Sequence, residues 1–476
     1  DTDVFPFYSS NYPPVYHLMA APFVWLFGPE YWYGRLLGFL GTLVAAAAIG
    51  LAVYREGRVR WIAVAAGLAF LASNTVYHIG PLFRQHMTMV MFEVLAVVVL
   101  ANVNEIASTA KRRRTLLFGM ILLLCAGYTK QLAIATAAAV FVFLFIRNPR
   151  RAIVWGIGFA LAGGGIFLWM NWATSGQWWL QTIAANVNPY IMDQTTGLFR
   201  LWFALHGFLI VPAALLAFFE MYFTRLSLYV IWLLAAVANS ALSGKWGAGD
   251  SYFATAIAAV CITSGIFFSH WLRGDWRAAD SRYTRLLAPP LRKARPALIG
   301  AACILIPLAY IGYGAATVKM PTSGPLFAPL AAALGLRANA DNGFYDSAGR
   351  IAGGYADIGH FTTPEDVAAG WRIVERVRAA QGPVLSEEAA FTLRAGKEVI
   401  TNPTQLLNLD LNGRFDSTEL VRMIEGHEFG LVILRASFYP PAVMDAIEAN
   451  YTLSEIIHMN GFDYRLLEPK QDGGTE

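Results

Sequence analysis

Residues 115–146 read TLLFGMILLLCAGYTKQLAIATAAAVFVFLFI, two apolar runs that meet at Lys130-Gln131. One helical crossing of a bilayer needs about 20 apolar residues, so this stretch is too long for one span and predicts two short ones. Basic residues flank it at 111–114 and 147–151. Because short basic loops stay in the cytoplasm, the tight turn at Lys130 is predicted on the outer side of a membrane.

The composition of the whole chain supports a polytopic membrane protein. Hydrophobic residues make up 56% of the 476 residues and charged residues 14%, with a mean hydropathy of +0.46. Ordinary soluble domains carry roughly 25% charged residues. About ten spans are predicted, at 34–54, 61–79, 85–101, 115–129, 131–146, 151–170, 200–219, 226–242, 252–272 and 297–314. Residues 15–28 are apolar but too short to span, and they predict a helix that lies at the outer surface.

The distribution of Lys and Arg predicts the orientation. One set of alternate loops carries eighteen of these residues, whereas the opposite set carries only Arg84, Lys130 and Lys245. The positive-inside rule therefore places residues 1–33 and the chain after about residue 315 outside the cytoplasm. An outer start without a signal peptide predicts one further span before residue 1. The net charge of +4 is small and gives no reason to expect a nucleic-acid partner.

The C-terminal third has the composition of a soluble domain. Helices are predicted at 364–380, 417–426 and 441–449, and strands at 383–386, 431–434, 451–457 and 463–467, the last two as edge-like strands. The predicted fold is thus mainly α, a transmembrane helical bundle over residues 1–320, followed by a small extracytoplasmic α/β domain over residues 321–476.

Chemically unusual residues concentrate in the outer segments. These segments are Asp1-Thr2-Asp3, Asn11 to His17, Gly127 to Gln131, Asn186 to Tyr190 and Gly244 to Tyr252. Cations at a lipid boundary can hold a phosphate through charge-assisted hydrogen bonds, while a carboxylate can activate an acceptor hydroxyl. A lysine between two apolar spans, such as Lys130, is costly unless it reaches water or an anion.

Several of these motifs resemble those of a known family. They are Tyr12-Pro13-Pro14-Val15-Tyr16, Phe27-Gly28-Pro29, Gly34-Arg35-Leu36-Leu37, Thr129-Lys130-Gln131, Asn186-Val187-Asn188-Pro189-Tyr190 and Gly244-Lys245. The chain resembles the polytopic glycosyltransferases of the GT-C fold, the group of the protein O-mannosyltransferases and the lipid A aminoarabinose transferase, and in particular an uncharacterised bacterial branch. The resemblance implies transfer of a sugar from a polyprenyl-phosphate donor to an extracytoplasmic lipid, glycan or protein, usually with inversion. It also implies a multi-pass protein of the bacterial inner membrane.

The resemblance also implies roles for residues. An acid in the first outer loop serves as the base, which points to Asp3 and Asp1, or to an acid upstream of residue 1. Lys130, Lys245 and Arg84 are expected to bind the donor phosphate. The expected substrate-binding residues are Tyr12, Tyr16, His17, Gln131, Asn186, Asn188, Tyr190 and Asp250. Relatives tend to carry an acidic residue after the arginine at the position of Arg84, whereas this chain has Gln85-His86 there.

The sequence is compatible with more than one cofactor and function. No spacing predicts a metal site, although a divalent cation held by Asp1 and Asp3 is an alternative. A lipid or solute transporter (a flippase) would require polar residues near the bilayer midplane and internal repeats. The sequence offers only Glu93 within a span, which is either functional or hydrogen-bonded between helices, and no repeat. A membrane anchor for a binding domain is a third hypothesis.

Overall fold

The computed structural model describes residues 2–276, 278–317, 329, 332–333 and 363–470. The chain divides into two compact units. We call residues 12–166 and 190–319 the helical unit, and residues 1–11, 167–189 and 320–476 the sheet unit. The sequence-based division instead assigned residues 1–11 and 167–189 to the transmembrane domain. Asp1 and the start of the predicted C-terminal domain lie outside the described residues.

Thirteen helices run from residue 15 to residue 317. They are α1 Val15–Phe27, α2 Trp32–Gly57, α3 Arg60–Ala72, α4 Asn74–Ile79, α5 His86–Leu100, α6 Thr109–Gly127, α7 Ile134–Arg147, α8 Pro149–Ala173, α9 Gln177–Thr182, α10 Met192–Phe223, α11 Leu228–Ser240, α12 Ala254–Arg273 and α13 Arg282–Thr317. Each predicted span lies on helix, and so does the predicted surface helix at 15–28. The predicted span 61–79 is interrupted, because Ser73 is extended and separates α3 from α4.

Six apolar segments among the described residues are long enough to cross a membrane. They are Trp32–Gly57, His86–Glu105, Pro149–Ala173, Met192–Phe223, Asp250–Arg273 and Arg282–Thr317. Shorter apolar helices occupy Val15–Phe27, Arg60–Ala72, Gln131–Arg147 and Leu228–Gly244. The break at Lys130 separates α6 from a short 3₁₀ turn, Gln131–Ala133, and α7, as the sequence predicts.

Helix α12 is the most buried of the six long segments, whereas α8 is the least. Helix α12 packs against α2, α3, α10 and α11. Its inner faces are rich in Ala, Thr, Ser and Gly, and such small side chains let helices approach closely where lipid removes the hydrophobic drive for association. This packing holds the N-terminal end of α12 in the middle of the helical unit.

Glycines on α2 hold the turn that leads into α5. A Cβ on Gly34 would overlap the ring of Phe83, and one on Gly38 would lie 2.8 Å from the carbonyl oxygen of Leu82. A Cβ on Gly41 would lie 3.2 Å from the carbonyl oxygen of Met87. The 82–87 backbone therefore lies directly on α2, and this contact fixes Arg84 and the first turn of α5.

The sheet unit contains a four-stranded sheet of order β1-β2-β4-β3. Its elements are α14 Pro364–Ala379, β1 Val384–Ser386, α15 Ala389–Ala395, α16 Pro403–Leu411, α17 Thr418–Glu425, β2 Leu431–Leu434, α18 Pro441–Asn450, β3 Tyr451–Met459 and β4 Phe462–Pro469. Strands β1 and β2 are parallel, with Leu385 opposite Val432. The other two pairings are antiparallel. Strand β4 is central, so its prediction as an edge-like strand is wrong; helices α15 and α16 were not predicted.

The N-terminal segment contributes to the core of the sheet unit. Phe7 is fully buried in the same cluster as Leu385, Leu406, Val432 and Ile447. A second cluster, around Ile373, packs on strand residues such as Ile433 and Leu466. The sheet is thus covered by apolar clusters to which both the start of the chain and its C-terminal part contribute.

Candidate functional site

Lys130 is the buried cation of the helical unit. It follows α6, it is 5% exposed, and its Nζ donates to Nε2 of His86. Two aromatic rings flank the ammonium group: its Nζ lies 5.3 Å from the ring centroid of Tyr12 and 5.0 Å from that of Tyr252. These distances fall within the range of cation–π attraction. The predicted phosphate ligand Lys130 and the predicted substrate ligand Tyr12 therefore lie side by side.

The proline-containing motif positions Tyr12. The two prolines precede α1, and the backbone N–H of Val15 donates to the carbonyl oxygen of Tyr128 at 2.9 Å. This hydrogen bond ties the start of α1 to the turn that carries Lys130. Tyr16, one turn further on, is buried and donates its hydroxyl to the carbonyl oxygen of Gly34 at 2.7 Å.

His86 lies at the first position of α5, and its ring connects Lys130 with the short 3₁₀ turn Asp250–Phe253, which precedes α12. Ser251 Oγ lies 3.2 Å from the same Nε2 atom that Lys130 contacts. An ammonium group has only donors, so Nε2 accepts and the ring proton is on Nδ1. That Nδ1 atom is buried and has no hydrogen-bond partner among the described residues. Since buried polar groups are normally paired, this donor marks a place for a water or a ligand oxygen.

Two of the quoted motifs meet at Lys245. Tyr190 and Lys245 form an isolated antiparallel bridge, and the N–H of Ile191 donates to the carbonyl oxygen of Gly244 at 2.7 Å. A Cβ at Gly244 would lie 1.9 Å from Thr195 Oγ1, so only glycine fits there. The hydroxyl of Tyr190 donates to the carbonyl oxygen of Ala241 at 3.0 Å, which fixes its ring against the same turn.

The cations of the helical unit influence one another. Burial, together with the positive charges of Arg84 and Lys245, lowers the pKa of Lys130 to about 7. Burial also lowers the pKa of Lys245. Among the described residues no salt bridge joins Lys130 to a carboxylate. The three predicted phosphate ligands thus form one electropositive cluster, which we call the cation cluster, and an anion would relieve its repulsion.

Two carboxylates lie on the elements that carry these residues: Asp250 directly precedes Ser251, and Glu93 lies on α5 with His86. Asp250 accepts a long hydrogen bond, 3.5 Å, from Thr75 Oγ1 and is attracted by the charge of Arg84. Glu93 accepts from the hydroxyls of Thr136 and Thr255, each at 2.6 Å. Glu93 therefore joins α5 to α7 and α12, the helices that begin next to His86, Lys130 and Tyr252.

The remaining predicted site residues are His17, Gln131, Asp3, Asn186 and Asn188. His17 is exposed beside the ring of Tyr16, and Gln131 is half-buried at the start of the 3₁₀ turn. Asp3, Asn186 and Asn188 belong to the sheet unit.

Within the sheet unit, the Asp3 carboxylate accepts from the Thr2 hydroxyl at 3.3 Å and from the Asp416 N–H at 3.4 Å. The amide of Asn186 donates to the carbonyl oxygens of Gln181 and Thr182 at the end of α9. In the described part of the chain no three His, Cys, Asp or Glu side chains are arranged to hold a metal ion.

Ser251 contacts His86 and Tyr252 contacts Lys130, although the sequence predicted no role for either residue. Both follow a glycine-containing loop and precede the apolar run of α12. An aromatic residue at such a boundary is usually an interface anchor, so only the tertiary structure reveals its contact with Lys130. The sequence signal for this contact is that Tyr252 lies close to Asp250, at the start of a predicted span.

No family model matches the sequence, and neither does any curated protein. The structure is similar to the crystal structure of ArnT from Cupriavidus metallidurans in the apo state, with a TM-score of 0.56 and 13% identity, over 96% of this chain and 87% of that one. The ArnT structure bound to undecaprenyl phosphate gives a TM-score of 0.57, at 13% identity over 96% and 88% of the two chains.

ArnT is the lipid A aminoarabinose transferase, a membrane enzyme of the GT-C class. This chain has the GT-C fold. The predicted fold class, a helical bundle with a small C-terminal sheet, is therefore confirmed. An oligosaccharyltransferase from Archaeoglobus fulgidus also aligns, with a TM-score of 0.44 and 13% identity over 97% of this chain and 66% of that one. The similarity shows the fold of this chain, whereas its activity has to be inferred from its own residues.

Proposed function

We propose that this protein is a membrane glycosyltransferase that moves a sugar from a polyprenyl-phosphate donor to an extracytoplasmic acceptor. The observation that carries the proposal is the cation cluster. A buried lysine between two tyrosine rings, repelled by a second lysine and an arginine, is an arrangement that favours an anion. The fold it shares with ArnT, a protein solved with undecaprenyl phosphate, suggests a lipid phosphate.

The chemistry of the cluster suits a phosphate at the boundary of a membrane. Lys130 lies where two apolar helices meet, and a lipid phosphate is the anion available at such a depth. Its ammonium group and the unpaired Nδ1–H of His86 are donors of the kind that phosphate oxygens accept. Phosphate binding would also raise the pKa of Lys130 and keep it charged.

The reaction we propose is a displacement at the anomeric carbon of the donor sugar. The acceptor hydroxyl forms the new bond to this carbon, the bond from the carbon to the phosphate oxygen breaks, and the lipid phosphate leaves with the electron pair. A carboxylate removes the hydroxyl proton. We propose Asp3 for this base, or an acid upstream of residue 1, and an inverting outcome. The cation cluster stabilises the leaving phosphate, so its charges contribute most as the bond breaks.

The orientation belongs to the same proposal. The positive-inside rule predicts that the loops of Lys130 and Lys245, and the chain after about residue 315, lie on the outer side of the membrane. In this arrangement the donor phosphate lies at the outer boundary of the membrane and the acceptor approaches from outside the cytoplasm. Membrane lipids surround the bundle, where many apolar side chains are exposed.

Donor turnover by the purified full-length protein tests the function. The protein in nanodiscs is incubated with polyprenyl phosphates that carry radiolabelled sugars, and release of the label from the lipid is measured. We expect turnover with at least one donor and its loss in Lys130→Ala. Lys111→Ala, an exposed lysine on α6, is the matched control.

The base is tested separately. Asp3→Asn is compared with Asp445→Asn, which changes an exposed carboxylate of the same sheet unit. Loss of turnover in Asp3→Asn alone supports Asp3, whereas unchanged turnover assigns the base to another acid. Absence of turnover with every donor, together with lipid movement across vesicles, would refute the transferase and favour a flippase.

A further inference from the structure

The sheet unit contains a cavity of about 390 Å³. Its wall is formed by three segments: Phe7 to Ser9 of the N-terminal segment, residues 387–389 and residues 399–403. The volume lies within the usual range of about 300–1,000 Å³ for small-molecule pockets. None of the roles assigned above uses this cavity.

The two carboxylates in the wall are already compensated. Glu387 accepts backbone N–H groups of Arg435, Ala436 and Phe438. Glu388 forms an ion pair with Arg435, whose Nε lies 3.2 Å from its Oε1 atom. The two carboxylates therefore leave no uncompensated charge in the described wall, so it offers little to a free cation or anion.

Other polar groups of the wall retain hydrogen-bonding capacity. Ser9 Oγ is buried and has no hydrogen-bond partner among the described residues. Asn402 caps α16 with its carbonyl oxygen, which accepts the N–H of Gln405 at 3.3 Å, and this bond does not use its NH₂ group. Tyr8 donates its hydroxyl to Glu398, and its ring is half-exposed. The cavity thus combines an aromatic face with hydroxyl, amide and carboxylate groups.

We infer that this cavity binds a neutral, hydroxyl-rich sugar ring. An apolar ligand would leave Ser9 Oγ unpaired and would desolvate both carboxylates, which costs free energy. A sugar hydroxyl is both donor and acceptor, so it can pair with Ser9 Oγ, the Asn402 amide and the free lone pairs of Glu388. The apolar face of the sugar ring can lie on Tyr8. The sheet unit is then a carbohydrate-binding module, whether or not the helical unit transfers sugar.

Binding is tested with the full-length protein in nanodiscs, because sugar-based detergents would compete for the cavity. The probes are methyl glycosides of mannose, galactose, glucose and N-acetylglucosamine, with glucosamine and galacturonate as charged comparisons. Saturation-transfer difference NMR reports which of them contacts the protein. We expect transfer to at least one neutral glycoside and weaker transfer to the charged sugars.

Variants locate the binding. Ala389→Phe fills the cavity and should abolish transfer. Ser9→Ala removes the unpaired hydroxyl and should weaken binding about fivefold or more, the loss expected for one hydrogen bond. Ser10→Ala, the neighbouring serine outside the cavity wall, and Lys130→Ala should bind like the wild type. Melting temperatures equal to the wild type show that each variant is folded.

Three results would overturn the inference: no transfer to any glycoside, transfer that persists in Ala389→Phe, or transfer that is lost in Lys130→Ala. The last result would assign sugar binding to the helical unit. Failure of donor turnover with glycoside binding intact would refute the transferase and leave this inference standing.

Discussion

The ammonium group of Lys130 lies 5.0 Å from the ring centroid of Tyr252, although the two residues are far apart in sequence. The Tyr12 ring flanks the same group, and His86 accepts its hydrogen bond. A buried ammonium that is repelled by other cations loses its proton easily, whereas an aromatic face stabilises the charged form. The rings therefore help to keep Lys130 charged where a phosphate is proposed to bind.

We expect Tyr252→Leu to weaken binding of polyprenyl phosphate several-fold at neutral pH. A cation–π contact contributes about 0.5–2 kcal/mol, and its loss lowers the pKa of Lys130 further. Tyr252→Phe keeps the ring face and should bind like the wild type. Tyr222→Leu, at an exposed tyrosine of α10, is the control. Equal affinities of the Leu and Phe variants would show that the ring face contributes nothing.

Binding of the sugar-linked donor should depend on pH. In the free protein burial and neighbouring cations lower the pKa of Lys130 to about 7, so the fraction that is charged falls as the pH rises through this value. The donor is a phosphodiester whose single charge does not titrate in this range. Its dissociation constant should therefore increase from pH 6 to pH 9, and this increase should disappear in Lys130→Ala. A flat profile in the wild-type protein would contradict the role of Lys130.

Gly244→Ala should disrupt the loop that presents Lys245. The added Cβ would lie 1.9 Å from Thr195 Oγ1 and 2.9 Å from the carbonyl oxygen of Ile191, so the backbone must shift. Such overpacking costs about 1–3 kcal/mol. We expect a lower melting temperature and reduced donor turnover. Gly249→Ala is the matched control in the same loop, because a Cβ there meets no atom within 4 Å. Equal effects of the two changes would contradict the packing argument.

Glu93 is expected to stabilise the bundle. Its carboxylate accepts from Thr136 and Thr255, and Trp232 Nε1 in turn donates to Thr136 Oγ1 at 2.8 Å. Glu93→Ala leaves two buried hydroxyls without this acceptor, at a cost of about 1–3 kcal/mol, whereas Glu93→Gln retains one acceptor oxygen and should cost less. Melting temperatures in nanodiscs measure both.

Glu105→Ala, at an exposed carboxylate near the end of the same apolar segment, is the control for Glu93. If Glu93→Gln melts like the wild type but abolishes donor turnover, the residue has a chemical role and the stabilising role is wrong.

Much of the helical unit could be predicted from the sequence. The period and length of the apolar runs indicate where helices form. The polar pair Lys130-Gln131 indicates that two helices, not one, cover residues 115–146. The interruption at Ser73 was missed, because a serine within an apolar run is compatible with a continuous helix. The motif residues Tyr12 and Lys130 were assigned to one site, and the structure brings them into contact.

The rest depends on contacts between residues distant in sequence. Nothing near Phe7 indicates that it packs into the core of the sheet unit, whose other members follow more than three hundred positions later. The central position of β4 is likewise set by pairing with β2 and β3, which alternation along one strand does not reveal. Tyr252 and Ser251 join Lys130 and His86 only because α12 packs in the middle of the bundle.

The cation cluster is proposed to hold a lipid phosphate. The most direct test is the dissociation constant of undecaprenyl phosphate for the full-length protein in nanodiscs, measured at one pH and ionic strength for the wild type, Lys130→Ala and Lys111→Ala. A hydrogen bond between charged groups contributes about 1.5–3 kcal/mol, so Lys130→Ala should bind about tenfold or more weakly, while Lys111→Ala binds like the wild type. Equal affinity of Lys130→Ala and the wild type would show that the cation cluster does not bind the lipid phosphate.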